Sequence, residues 1–217
     1  MTVWAIVLGG GSGARFGGAK QFERLGGLSL LGCSVAAAAT VAEGIVVVVP
    51  GGVQPPGLPD VEAKVLVAAG GAHRAASVRS GLAAVPVEAE VIVVADAAHP
   101  LAAPALFAAV VAAVRGGAGG ALPGLPLTEA VARVEDGVRV GGVPREGHVL
   151  VQMPHAFRAD LLRAAHAGGE DGVEDSAMVA ALGAHVAVVP GDPANLHVTT
   201  PQELDLARRL LDAPHPS

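Results

Sequence analysis

The sequence predicts an α/β domain on a doubly wound, mostly parallel sheet, with one β-arm projecting from it. Three observations carry this prediction. Apolar runs of about five or six residues alternate with longer helical patterns along the chain. The run Ile45-Val46-Val47-Val48-Val49 is apolar at every position, as a strand covered on both faces must be. The first run, Val3–Leu8, passes directly into the glycine-rich turn Gly9-Gly10-Gly11-Ser12-Gly13.

In chain order, strands are expected at 3–8, 44–49, 64–68, 91–95, 118–122 and 185–189. Helices are expected at 29–40, 74–85, 103–115, 159–167, 174–182 and 201–212. Pro104 sits in the first turn of its helix, where its missing N–H costs nothing. Thr200-Pro201-Gln202-Glu203 has the cap, the N1 proline and the N3 glutamate of a capping box. Segment 124–152 breaks the alternation: Asp136-Gly137 separates two β-like runs, which is a hairpin signal. A hairpin that projects from a domain buries itself poorly, so this arm is expected to pack on a second subunit. The Pro/Gly-rich stretch 50–59 reads as a surface loop and 213–217 as a frayed tail. Residues 1–217 are read as a single domain.

At 217 residues the chain can bury a full core. Aromatic residues make up only 2%, so that core is built from Val, Leu, Ala and Ile. No apolar run approaches the roughly 20 residues that span a bilayer. The start has neither a basic leader nor a cleavage pattern, which points to a cytoplasmic protein. Cys33 has no second cysteine to pair with and reads as a small buried thiol. The formal charge is −6 without any basic run, which argues against nucleic acid as a partner.

The chemistry concentrates at the first turn. Glycines there let bare backbone N–H groups approach a phosphate, and Arg15 and Lys20 follow closely. Lys20 and Lys64 are the only lysines among fourteen basic residues. A P-loop would need Gly-Lys-Ser/Thr, but the turn ends Gly18-Ala19-Lys20-Gln21. A dinucleotide fold would need an acid after the second strand, where Val49-Pro50-Gly51-Gly52 stands. A nucleotide loop of another type remains, with the two cations on the phosphates. Three more segments should meet it at the same sheet edge. They are Gly70–Leu82, then Asp96-Ala97-Ala98-His99-Pro100, and the pair Gly172–Ala177 with Asn195–Pro201. Asp96 closes an apolar strand and can hold Mg²⁺ or a sugar hydroxyl. Asp175 and Ser176 read as helix-capping groups. His73, His148, His155, His166, His185 and His215 lack zinc-like spacing and read as surface or loop groups.

These motifs resemble the 2-C-methyl-D-erythritol 4-phosphate cytidylyltransferase family over nearly the whole chain. A small-residue loop, then Arg, then Lys-Gln-Phe stands at Gly9–Phe22. The pattern Gly-Gly-x-x-Arg-x-x-Ser-Val-x-x-Gly-Leu stands complete at 70–82. The family's Asp-Ala-Ala-Arg-Pro stands at 96–100 with His99 in place of arginine. Its Gln-Thr-Pro-Gln-x-Phe stands as Gln152-Met153-Pro154-His155-Ala156-Phe157.

The resemblance implies a Rossmann-like nucleotidyltransferase fold, Mg²⁺, and transfer of a cytidylyl group from CTP to methylerythritol phosphate in isoprenoid biosynthesis. It makes Arg15 and Lys20 catalytic and lets Gly9, Gly10, Gly11, Gly13, Gly71 and Ser77 bind CTP. It assigns Asp96, His99 and Arg145 to the acceptor, with Asp96 also the candidate metal ligand and His197 a phosphate contact. A homodimer through the arm would bring Arg145 to the neighbouring subunit's pocket. Ala130 and Met153 stand where the family has acceptor-binding threonines, and His197 where many members carry lysine. A cytidylyltransferase for another polyol phosphate, such as ribitol 5-phosphate, is therefore the alternative. A nucleotide-binding protein without catalysis and a dinucleotide-dependent oxidoreductase are the more distant readings. If His99 and His197 act as protonated cations, activity should fall as pH rises above roughly 6.5.

Overall fold

In the computed structural model, residues 1–11, 13, 16–168 and 174–212 are described; the expected tail 213–217 and the first two residues of the Gly172–Ala177 segment lie outside them. Strand β1 (Val3–Leu8) leads through the glycine turn to a 3-10 turn (Lys20–Phe22) and a small hairpin, β2 (Arg24–Leu25) and β3 (Leu28–Ser29). Then come α1 (Leu30–Ala38), β4 (Gly44–Val49), β5 (Lys64–Ala69), α2 (Arg74–Ala84), β6 (Val91–Asp96) and α3 (Pro104–Arg115). The second half holds β7 (Gly120–Pro126), β8 (Val131–Glu135), β9 (Val138–Val143), β10 (Val149–Val151) and β11 (His155–Arg158). It closes with α4 (Ala159–His166), α5 (Asp175–Ala181), β12 (Val186–Pro190) and α6 (Pro201–Asp212).

The main sheet runs β10-β7-β11-β6-β1-β4-β5, with β12 on the free side of β7. Pairings β1–β4, β1–β6, β4–β5 and β7–β12 are parallel. Strand β11 is antiparallel to both β6 and β7, and β10 is antiparallel to β7. All six expected strands and all six expected helices are present; 3–8, 44–49 and 201–212 match end for end, and no other end is off by more than four residues. Four-residue β11 was not expected, nor was the β2–β3 hairpin.

Side-chain alternation sorts the core into two layers. Val3, Ala5 and Val7 of β1 point to the face covered by α1 and α3, against Leu31, Val35, Phe107 and Val110. Trp4, Ile6 and Leu8 point to the other face, against Val78 and Leu82 of α2, Leu162 of α4 and Val179 of α5. Each of β1, β4 and β6 is buried along its apolar length, which is why these strands show no polar alternation. Local signals set the helix ends. Ser29 caps α1 by accepting from the Gly32 N–H at 3.0 Å. Helix α2 stops at Ala84 because Pro86 pushes Val85 out of helical space (φ −76°, ψ 127°).

The arm is shorter than expected. Gly124–Pro126 and Val149–Val151 pair with each other inside the main sheet, so the projecting part is the β8–β9 ribbon and its connections. Asp136 and Gly137 both have positive φ (49° and 79°), the two-residue turn that Asp-Gly favours.

Candidate active site

Strands β1, β5 and β6 all end at one edge, and their following loops build a cavity of about 520 Å³. Gly9, Gly10, Gly11, Lys20, Gly71, Ser77, Asp96 and His197 all line it. The two glycine loops face each other closely: a Cβ on Gly10 would lie 3.6 Å from the Gly70 Cα and from the Ser77 Oγ. Gly71 has no room for a side chain, since a Cβ would come within 2.9 Å of the Ala76 backbone. Its N–H donates to the Ser77 hydroxyl at 3.1 Å, which fixes that loop on the first turn of α2. Gly13 adopts φ +65°, and its carbonyl accepts from the N–H groups of Phe16 and Gly17 at 2.8 and 2.9 Å. It shapes the first turn without lining the cavity. Arg15 lies outside the described residues.

Lys20 starts the 3-10 turn, and its Nζ donates to the Val198 carbonyl at 2.7 Å. Asp96 is the last residue of β6; its Oδ1 accepts from the Ala98 N–H at 2.8 Å, so the carboxylate also holds its own turn. A second cavity of about 520 Å³ adjoins the first and is lined by His99, Leu125, Gln152, Met153, His155 and Glu174, among others. Arg74, Asp96 and His197 belong to both. The shared wall is the place where a group could pass from an occupant of one cavity to an occupant of the other.

His99 and His197 stack face to face, ring centroids 4.6 Å apart and 6° from parallel. His99 is buried, and burial first, then electrostatic repulsion from the neighbouring His197, His155 and Lys20 side chains, pushes its pKa down to about 3. It is neutral throughout the physiological range, which corrects the expectation of a protonated His99. A pH–rate profile between 6 and 8 is accordingly expected to show no limb that disappears in His99→Gln.

Two further expectations are corrected. His155 and His166 are buried rather than on the surface. His155 Nδ1 lies 2.9 Å from a Glu174 carboxylate oxygen, and His166 Nε2 lies 3.0 Å from Asp175 Oδ1. Asp175 is fully buried and does not cap α5; Glu174 does, accepting from the Ser176 N–H and hydroxyl. Asp175 instead pairs with Arg74 at 2.7 Å. Sequence reading missed Arg74 as a wall of both cavities, although it is the arginine of the 70–82 motif. It also missed buried Gln21, which lines the first cavity.

Arg145 is exposed in the loop between β9 and β10, donates to the Thr128 carbonyl at 3.2 Å and lines neither cavity of its own chain. Among the described residues no cluster of three or more His, Cys, Asp or Glu could hold a metal. Asp96 is thus the one carboxylate among the residues that line the first cavity, a donor set that suits Mg²⁺ bound largely through substrate phosphates and water.

Opposed glycine loops, a lysine and a strand-end carboxylate over one cavity, with a second cavity across a shared wall, place the chain among the nucleotidyltransferase-like α/β enzymes. The family model described as IspD, 2-C-methyl-D-erythritol 4-phosphate cytidylyltransferase, matches residues 3–213. The chain belongs to that family. It is 40% identical over 219 residues to the 2-C-methyl-D-erythritol 4-phosphate cytidylyltransferase of Nocardia farcinica, covering 97% of this chain and 94% of that protein. It is 42% identical over 226 residues to the bifunctional enzyme IspD/IspF of Anaeromyxobacter dehalogenans, and there it spans 58% of the relative's length. The crystal structure of the Thermus thermophilus cytidylyltransferase superimposes with a TM-score of 0.82 at 34% identity, covering 98% of this chain and all of that one.

Proposed function

We propose that this chain transfers a cytidylyl group from CTP to 2-C-methyl-D-erythritol 4-phosphate, giving 4-diphosphocytidyl-2-C-methyl-D-erythritol and pyrophosphate. The observation that carries the reading is the pair of cavities meeting at Asp96, Arg74 and His197. CTP occupies the cavity of the glycine loops, with Gly71 and Ser77 toward the cytosine and ribose. The acceptor occupies the other, near Asp96 and His99. An acceptor phosphate oxygen attacks the α-phosphorus, the bond to the β-phosphate oxygen breaks, and pyrophosphate leaves in line. The nucleophile is already an oxyanion, so the enzyme's task is alignment and charge stabilisation. Lys20 and Arg15 supply positive charge along the phosphates. Asp96 would hold Mg²⁺, which when bound neutralises phosphate charge.

The β8–β9 ribbon supports a homodimer. Val131, Val134, Val138, Val140 and Val143 are all exposed on it, although a lone two-stranded ribbon is marginal in water. In the dimer, Arg145 reaches the acceptor phosphate in the partner's pocket. Sedimentation equilibrium should give twice the 21.3 kDa chain mass, and Val138→Asp should shift it toward one chain. A persistent single-chain mass in the unmodified protein would remove this part of the reading. No described helix is long and apolar enough to cross a membrane; we place the enzyme in the cytoplasm.

The deciding assay is pyrophosphate release from CTP and Mg²⁺ with methylerythritol phosphate, beside ribitol 5-phosphate and a no-acceptor blank. Release with the first alone is expected. The buried Met153 and neutral His99 in the second cavity favour the alternative acceptor as the second reading, which release with ribitol 5-phosphate alone would establish.

A further inference from the structure

We propose that Glu203, at the start of the last helix, is a positioning residue for the cavity's lysine: it clamps the peptide plane that holds Lys20. The inference rests on the reading of Lys20 given above. A capping box needs one reach-back bond from its glutamate. Here Glu203 Oε2 accepts three, from the Thr199 N–H at 2.6 Å, the Thr199 hydroxyl at 2.7 Å and the Thr200 N–H at 2.8 Å. Two of the three come from Thr199, which lies ahead of the N-cap Thr200 and is not needed to start the helix. The hydroxyl of Thr199, foremost among these donors, holds the Glu203 carboxyl down at about 2. The carboxylate is therefore charged wherever the enzyme works.

The Thr199 N–H and the Val198 C=O are two ends of one planar peptide unit. Glu203 takes the N–H end, and the Lys20 ammonium donates to the C=O end at 2.7 Å. A carboxylate, a peptide dipole and an ammonium thus lie in series, an arrangement in which each hydrogen bond polarises the next. The plane is also pinned from behind. The Val198 side chain is fully buried with Leu25, Leu30 and Leu204, and the Val198 N–H donates to the Ala98 carbonyl at 2.7 Å. Val198 therefore connects the Asp96–His99 turn to Lys20, and His197 beside it stacks on His99. Removing the carboxylate leaves the Val198 anchors but frees the peptide to rotate, and its carbonyl then no longer presents a fixed acceptor to Lys20.

The test compares steady-state kinetics of Glu203→Ala, Glu203→Gln, Lys20→Ala and the Lys20→Ala/Glu203→Ala double variant. Leu206→Gly, at an exposed position of α6, serves as a control that weakens the helix without touching the loop. A displacement of order 1 Å at a reacting group costs about 10²-fold, so Glu203→Ala is expected to lower kcat roughly 10- to 100-fold. The KM for CTP should change less. Glu203→Gln, whose amide oxygen can accept in the same place, should recover most of that loss, and Leu206→Gly should keep the parent kcat. In the Lys20→Ala background, Glu203→Ala should cost no more than a further twofold or so, because the group it positions is gone. Thr199→Val removes one of the three bonds and leaves the Thr200 cap intact; a several-fold loss in kcat is expected, and it decides the matter if Glu203→Ala does not fold. An unimpaired Lys20→Ala overturns both the reading of Lys20 and the purpose of the clamp. An impaired Lys20→Ala beside a Glu203→Ala of normal kcat, or losses that simply multiply, overturns the clamp alone.

Discussion

Lys20→Ala is expected to lower kcat for pyrophosphate release by about 10²–10³-fold while the protein stays folded. The ammonium lies on a short turn that its own backbone fixes: the Lys20 N–H donates to the Gly18 carbonyl at 2.8 Å. Its Nζ is held by Val198 at the mouth of the cavity that Gly9, Gly10 and Gly11 line. In the displacement, negative charge grows on the departing pyrophosphate and stays spread over the oxygens of the reacting phosphorus. A fixed cation there stabilises the transition state more than bound CTP, and such groups are worth about 2–4 kcal/mol. The loss should thus fall on kcat, with a smaller rise in KM. Lys20→Arg should rescue poorly, because a wide planar guanidinium does not occupy the site of a compact ammonium. A Lys20→Ala enzyme with a raised KM and normal kcat would reduce Lys20 to a ground-state binder. Thermal unfolding of the same variant checks that nothing else has moved.

The parts of the molecule legible in the sequence are those encoded by runs of neighbouring residues. Strands β1, β4 and β6 announce themselves because burial on both faces leaves no polar position in them. The rule that ligands gather where parallel strands end then brings Gly9, Gly71, Asp96 and His197 to one sheet edge, and all four line one cavity there. Strand β11 was invisible for the opposite reason. It is four residues, His155-Ala156-Phe157-Arg158, and what makes it a strand is the slot between β6 and β7 rather than its own composition. The same limit hid the buried polar groups. His166 and Asp175 each look like helix-end surface residues, and only the packing of α4 and α5 reveals that they close on each other. His99 shows how environment overrides identity. Substituting an arginine with histidine suggests a weaker cation, but burial near the Lys20 ammonium leaves a neutral ring.

Asp175→Asn is expected to cost about 3 kcal/mol of stability, the low end for breaking a buried ion pair by removing one partner. Asp175 is fully buried, yet it faces Arg74 at 2.7 Å and His166 at 3.0 Å. Burial alone would push its carboxyl up. The His166 hydrogen bond and the Arg74 charge outweigh that and hold it below the ordinary carboxylate value. The asparagine keeps the volume but removes the charge, leaving the Arg74 guanidinium and the His166 ring without their shared anion. Arg74 is partly exposed, and water can recover some of that loss, which is why the low end applies. For a domain of this size the change corresponds to a drop in Tm of about 6–12 °C. In urea the midpoint should fall with little change in slope. A carboxyl depressed on folding stabilises the native state above its unfolded pKa and loses that contribution as pH falls through the lower folded value. The gap between parent and Asp175→Asn should therefore be full at pH 6–7 and shrink below about pH 4. The consequence reaches the site, because Arg74 forms part of both cavities and opens α2. An Asp175→Asn enzyme should show raised KM values for both substrates even at temperatures where it is fully folded. A loss below about 1 kcal/mol, in the range of exposed ion pairs, would mean that water screens the pair and that Asp175 does not anchor this wall.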